Sequence, residues 1–246
     1  TITDANIGTA MLSITADFSE NMAATIPSIS FNPAVSGVLK NPQTTWLSPT
    51  QHQWVYDIED GNITLNNIDI AIAGSYDGNG NEQVTSTNFA DQFTIDMSNP
   101  TATVEVSDNL ITDADMGTGF DAIITFSESM TNIPSIGFSP NIDHTLLNIT
   151  AEAWNGDNVF TRTYELEDNN RYIPTVDISV SDASDMSNNP MQTAYLIDAF
   201  TIDTQNPTAT VSVSHTGIFD EHVGTGVFTV TADFSEQMDV TPQINF

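Results

Sequence analysis

Phe126-Ser127-Glu128-Ser129-Met130 is the middle of three copies of one short stretch. Phe18-Ser19-Glu20-Asn21-Met22 precedes it and Phe234-Ser235-Glu236-Gln237-Met238 follows, each displaced by 108 residues (18 to 126, 126 to 234). The match widens on both sides. An Asp-containing turn ending in Gly comes first: Asp4 to Gly8, Asp113 to Gly117, Asp220 to Gly224. Ile26-Pro27-Ser28-Ile29 answers Ile133-Pro134-Ser135-Ile136, and Trp46, Tyr56 and Asp69 answer Trp154, Tyr164 and Asp177. Phe93-Thr94-Ile95-Asp96, followed by Asn99-Pro100-Thr101-Ala102-Thr103-Val104, returns as Phe200-Thr201-Ile202-Asp203, followed by Asn206-Pro207-Thr208-Ala209-Thr210-Val211. A period this long fits a whole small domain rather than one coil of a solenoid. Three units are expected: 1–99, a repeat lacking its first strand; 100–206, a complete repeat; and 207–246, the truncated start of a third.

Inside the complete unit, apolar and polar residues alternate. Thr101-Ala102-Thr103-Val104-Glu105-Val106, Phe120 to Phe126, Val159 to Leu166 and Val176 to Val180 all read with period two. They are rich in β-branched and aromatic residues and separated by Asn, Asp, Gly and Pro clusters, the pattern of half-buried strands and turns. Strands are expected over 101–107, 119–126, 134–139, 145–151, 158–166, 175–181 and 197–203. The predicted class is therefore all-β, with tandem Ig-like antiparallel β-sandwich domains of about seven strands each.

The 246 residues carry 33 Asp+Glu against 3 Lys+Arg, a formal net charge of −30, and no cysteine. Three cations cannot neutralise a phosphate backbone, so no nucleic-acid partner is expected, and an anionic membrane repels such a surface. No apolar run approaches the roughly 18 residues of a membrane span, so no membrane insertion is expected. Disulfide staples and thiolate zinc sites are excluded. A chain this acidic repels itself unless cations screen or bind it. Catalysis finds little support: His52, His144, His215 and His222 neither recur across the repeats nor pair at ligand spacing. No Gly-x-Ser-x-Gly, His-Glu-x-x-His or phosphate loop is present. Acids repeated in every unit suit a structural task better than a single active site, and no enzyme is expected.

The Phe-Ser-Glu-x-Met hairpin, the Tyr56 and Tyr164 turns leading to Glu59-Asp60 and Glu167-Asp168, Asp77-Gly78-Asn79-Gly80-Asn81, and the closing Phe-Thr-Ile-Asp with Asn-Pro-Thr resemble bacterial Ig-like tandem repeats. The similarity is to repeats of large surface adhesins of the biofilm-associated and RTX types, and it runs over essentially the whole chain. It implies an extracellular, cell-surface stalk whose partners are neighbouring repeats of the same chain, stiffened by Ca²⁺ at the joints.

Ig topology places the candidate ligands. The linker from Asp96 to Asn99 joins the first repeat to the second. Asp4 and Asp60 lie on loops at the adjoining end of the first repeat, and Glu128 and Asp185 on loops at the near end of the second. The next joint draws on Asp113, Asp168 and Asp203, with Glu236 from the third repeat. Ca²⁺ takes 6–8 oxygens in irregular geometry that loops can supply, whereas Mg²⁺ demands a stricter octahedron and retains its water. The competing reading is that Asp and Asn simply cap turns.

Asp77-x-Asn79-x-Asn81 begins like an EF-hand loop but lacks the later Glu, so a tight turn is the better reading. In the second repeat this loop reads Asp185-Met186-Ser187-Asn188-Asn189, which leaves its geometry open. Met22, Met130 and Met238 read as core filler and Trp46 and Trp154 as core anchors. Trp54 matches Arg162, which points to an exposed position. The expected function is a stalk or extender of an adhesin. The alternative is a subunit of a surface layer or filament, with other copies of the chain as partners through strand exchange.

Overall fold

The structure is a computed structural model describing residues 1–84, 89–143 and 145–245. His144 lies outside the described residues. The protein is all-β, and the strands of the described residues gather into five sheets of two to four strands each. The first repeat holds β1 (Gly8–Asp17), β2 (Ser28–Asn32), β3 (Leu39–Ser48), β4 (Gln51–Ile58), β5 (Thr64–Ala73) and β6 (Phe89–Asp96). They form two sheets of order β1-β4-β3 and β2-β5-β6. The second repeat holds β7 (Ala102–Val106), β8 (Leu110–Thr112), β9 (Gly119–Phe126), β10 (Ser135–Ser139), β11 (Leu146–Asn155), β12 (Val159–Leu166), β13 (Tyr172–Ser181) and β14 (Ala194–Asp203). Its sheets run β11-β12-β9-β7 and β10-β13-β14-β8. After residue 206 come β15 (Ala209–Val213) and β16 (Val230–Phe234), paired with each other.

Period-two alternation sorts the side chains. In β12, Phe160, Arg162, Tyr164 and Leu166 are buried while their neighbours face outward. Phe160 and Tyr164 meet Phe120, Ile124 and Phe126 of β9, and Val176, Ile178 and Val180 of the other sheet, in one core. The first repeat has its own core around Trp54, Tyr56, Ile68, Ile70, Ile95 and Met97. Asp69 and Asp177, matched in the repeat, hold the same bulge. Each accepts the N–H of a left-handed residue on the next strand, Asp91 at 3.0 Å and Asp198 at 2.8 Å.

Two expectations are corrected, the strand count of the second repeat and the exposure of Trp54. The strand expected over 101–107 is β7, and a short strand not expected, β8, follows it, where Asp108 Oδ1 accepts the Leu110 N–H at 2.9 Å and turns the chain. β8 then joins the second sheet as a parallel neighbour of β14. The first repeat has the same feature as a parallel bridge between Ile2 and Ile95. The second repeat therefore has eight strands rather than seven. Trp54 is not exposed but 2% accessible, stacked edge-on to His52, with ring centroids 4.6 Å apart. Arg162, in the matching place, is also buried; its guanidinium bonds Glu152 at 2.7 Å and the Pro134 carbonyl at 3.2 Å. The inward register of β4 and β12 forces either side chain inside, and only Arg needs a partner there. Trp46 and Trp154 are half-buried, packed against Phe18 and Phe126.

His52 occupies the place of Phe160. It is fully buried between Trp46 and Trp54, with neither ring nitrogen hydrogen-bonded. Burial holds its pKa below the ordinary value of 6.5. The folded state therefore binds fewer protons than the unfolded one, and stability falls as pH drops below about 6.5. His52→Phe should remove this acid-side loss in melting curves between pH 7 and 5. Because the two cores share no member, Phe160→Ala should cost about 3–5 kcal/mol in the second unit. Denaturant unfolding followed by Trp54 fluorescence should leave the first unit unchanged.

Candidate metal centre

Local folding sets out each acid at the joint. Asp4 opens a single 3-10 turn, Asp4–Asn6, whose cap is closed by Asn6 Oδ1 accepting the Thr3 N–H at 2.9 Å. Asp60 Oδ1 accepts the Asn62 N–H at 2.7 Å in the turn after β4, and Asn62 Oδ1 in turn accepts the Asn99 N–H at 2.9 Å. Asp96 ends β6. The linker beyond it is anchored on both sides: Met97 is buried in the first core, with its N–H bonded to the Ile63 carbonyl at 3.0 Å. Pro100 is also buried, and its carbonyl accepts the Gln192 N–H at 2.9 Å.

From the second repeat, Asp185 folds its own loop. Its Oδ1 accepts the N–H groups of Ser187 and Asn189, both at 2.8 Å, and its Oδ2 accepts Asn189 Nδ2 at 2.9 Å. Asp77 makes the same three bonds, with Asn79 N at 2.8 Å, Asn81 N at 2.7 Å and Asn81 Nδ2 at 2.7 Å. The two loops thus share one geometry despite their different sequences, and the tight-turn reading describes both.

The loops converge. One carboxylate oxygen from each of Asp96, Glu128 and Asp185 lies within 4.8 Å of the others. Asp185 is fully buried and the other two are half-buried. Asp96 Oδ2 accepts Ser187 Oγ at 2.5 Å, and Oδ1 accepts Thr64 Oγ1 at 2.9 Å. Asn189, also fully buried, bridges the repeats: Nδ2 donates to the Asp96 carbonyl at 2.8 Å as well as to Asp185, and Oδ1 accepts the Asp4 N–H at 3.2 Å. Asp4 Oδ1 and Asn99 Oδ1 are buried without a hydrogen-bond donor. Among the described residues no Lys, Arg or His forms an ion pair with these acids.

Electrostatics record the crowding. Burial raises the pKa of Glu128, and the charges of Asp185 and Asp96 raise it further. Asp4 is raised by burial, then by Asp60, Asp185 and Asp96. Such a cluster of hard oxygens could coordinate a divalent cation. Of the five residues expected at this joint, Asp96, Glu128 and Asp185 form the cluster, Asp4 feels the charges of Asp60, Asp185 and Asp96, and Asp60 acts on Asp4.

At the second joint the structure brings together less. Asp203 and Glu236 line one cleft with Tyr172, Gln205 and Ser235. Asp113 opens a 3-10 turn and Asp168 Oδ1 accepts the Asn170 N–H at 2.7 Å, so both serve turns; neither joins a carboxylate cluster among the described residues. The near side is nonetheless built as at the first joint, since Asn170 Oδ1 accepts the Asn206 N–H at 2.7 Å. Sequence reasoning missed Ser187 and Asn189, the residues that tie the repeats; Asn189 was signalled only by the return of Asn81 at the repeat spacing. No family model, no curated protein and no solved structure matches the chain. Among the described residues no helix is long and apolar enough to cross a membrane.

Raised carboxyl pKa values give a definite sign. The folded state holds protons that the unfolded state has released, so stability falls as pH rises through the raised range. With chelator present, mild acidification should therefore relieve the joint, opposing the His52 effect. Glu128→Gln in a His52→Phe background should raise the melting temperature at pH 7 and flatten this dependence.

Proposed function

We propose that the chain is an extender: tandem Ig-like β-sandwich modules of an extracellular bacterial surface adhesin, braced at their joints by Ca²⁺. One observation carries the reading: carboxylates from two successive repeats converge within 4.8 Å with no cationic side chain paired to them among the described residues. An ion held there ties residue 96 to residues 128 and 185, and so fixes one module against the next. The oxygens are hard donors on loops, some half-exposed, which suits the 6–8 irregular ligands of Ca²⁺ and leaves room for water. Mg²⁺ asks for a tighter octahedron than these unequal carboxylates offer.

Three further features support a mechanical role. The first two repeats each enclose a core, so stiffness depends on the joint between them. The linker is seated in both neighbours through Met97 and Pro100. The resemblance to adhesin repeats, read from the motifs in order, adds a surface location and a partner set of neighbouring modules. Asp113, Asp168, Asp203 and Glu236 are the ligands proposed for the next joint.

Titration calorimetry should show Ca²⁺ binding preferred over Mg²⁺ by at least tenfold, and Asp185→Asn with Glu128→Gln should abolish it. Small-angle scattering should give a narrower distribution of interatomic distances with Ca²⁺ than with chelator. Identical scattering in the two conditions would refute metal bracing.

A further inference from the structure

An asparagine followed by glycine is the pair in which a side-chain amide most readily meets the next backbone nitrogen, because glycine has no Cβ to obstruct it and its backbone turns freely. The chain has two, Asn79-Gly80 and Asn155-Gly156, and the fold treats them oppositely. Asn79 is clamped inside the Asp77 turn. Its N–H donates to Asp77 Oδ1 at 2.8 Å, the Gly80 N–H donates to the Asp77 carbonyl at 3.2 Å, and the Asn79 side chain bonds the Asp77 carboxylate. Asn155 ends β11 at the tip of the β11–β12 hairpin, which the pair of Asn155 with Val159 closes. Asn155, Gly156 and Asp157 are all exposed. Among the described residues neither the Asn155 side chain nor the Gly156 N–H has a hydrogen-bond partner. Gly156 sits in the left-handed region at a φ of +73°, with no atom within 4 Å of where a Cβ would stand.

The tip also supports its neighbour. The Asp157 carbonyl accepts the Met130 N–H at 2.9 Å and the Asn158 carbonyl accepts the Phe126 N–H at 2.8 Å, so the loop that presents Glu128 is tied to the hairpin on both sides. The first repeat builds the same support from Pro49 and Thr50, whose carbonyls accept the N–H groups of Met22 and Phe18, both at 2.8 Å. There Leu47-Ser48 stands in place of Asn155-Gly156, so the reactive pair belongs to the second repeat alone.

We propose that Asn155 is a site of spontaneous covalent modification, intramolecular deamidation with water as the co-reactant. The Gly156 nitrogen gives up its proton and bonds to Asn155 Cγ. The Cγ–Nδ2 bond breaks, and ammonia leaves with that proton, closing a five-membered succinimide. Water then adds to one of the two ring carbonyls. Cleavage of the new bond leaves aspartate at position 155; cleavage of the original peptide bond leaves isoaspartate, whose backbone is one methylene longer. Nothing is oxidised or reduced. Either product adds a carboxylate at the end of the second repeat that faces the joint, and isoaspartate lengthens the turn that holds Met130 and Phe126. The modification does not depend on the metal reading.

The test is incubation of the whole chain at mildly alkaline pH in chelator, with and without denaturing urea, followed by peptide mapping in a mass spectrometer. In urea Asn79 and Asn155 should convert at similar rates. In buffer Asn155 should convert at least tenfold faster than Asn79, with one equivalent of ammonia released and isoaspartate detected by enzymatic methylation. Hydrogen exchange at the Met130 and Phe126 amides should speed up as isoaspartate accumulates. Asn155→Gln, which would have to close a six-membered ring, should stop the conversion and leave both amides protected. Equal rates at the two sites in buffer, an intact Asn155 in the folded chain where the urea-unfolded chain converts, or unchanged exchange in the converted chain would overturn the proposal.

Discussion

Asp96, Glu128 and Asp185 bring three negative charges within 4.8 Å of one another. At that separation each ionised pair repels by about 3 kcal/mol at an effective dielectric constant of about 20, and by less where water screens it. Neutral groups hold the cluster together: the Asn189 amide, the Ser187 and Thr64 hydroxyls, and the N–H groups of the Asp185 turn. These donors orient the carboxylates without cancelling their charge. Hydrogen bonds to charged groups contribute roughly 1.5–3 kcal/mol each, enough to hold the loops in place but not to remove the repulsion. What is left is an excess of negative potential at the one place where two repeats meet.

The repeats solve their interiors differently at two matched positions. His52 and Trp54 stand where the second repeat has Phe160 and Arg162. Arg162 lies inside because Glu152 neutralises it and the Pro134 carbonyl accepts a further N–H, with the Phe160 ring 5.5 Å below. Removing the half-exposed Glu152 carboxylate would leave the buried Arg162 guanidinium uncompensated, which is costly. The first repeat needs no ion pair there but carries an imidazole that must remain neutral. One backbone frame thus takes an apolar or a charged filling. The loops and strand ends that serve the joint, by contrast, keep their chemistry: Glu20 and Glu128, Asp77 and Asp185, Asn81 and Asn189, Asp96 and Asp203.

Much of this was legible in the sequence. Alternation identified the strands because a strand buried on one face must repeat every second residue, and the 108-residue offset divided the chain before any strand was drawn. Topology then brought Asp96, Glu128 and Asp185 to one place although they lie far apart in sequence. Three things escaped. β8 is three residues long, too short to show a period, and its parallel pairing depends on a turn at Asp108. Trp54 was misread because Arg162 was taken as a mark of solvent, when its carboxylate partner lies on the neighbouring strand. The role of Asn189 escaped, though Asn81 returns there, because its amide spans three partners in two repeats and no local pattern announces a bond made across a joint.

The linker explains why so few contacts decide the geometry. Its first half is fixed from the preceding module, by the Asn62 to Asn99 bond at one joint and the equivalent Asn170 to Asn206 bond at the next. Its second half is fixed to the following module by the Pro100 to Gln192 bond and by Thr101 with Ser127. Little chain remains free between Asn99 and Pro100, so rotation there is checked chiefly by Asn189, Ser187 and the carboxylates themselves. A neutral amide and a hydroxyl can set the angle, but the charges they align push the modules apart. The same residues that give the joint its shape therefore crowd its carboxylates with no cationic side chain paired to them among the described residues, an arrangement of hard oxygens that could coordinate a divalent cation.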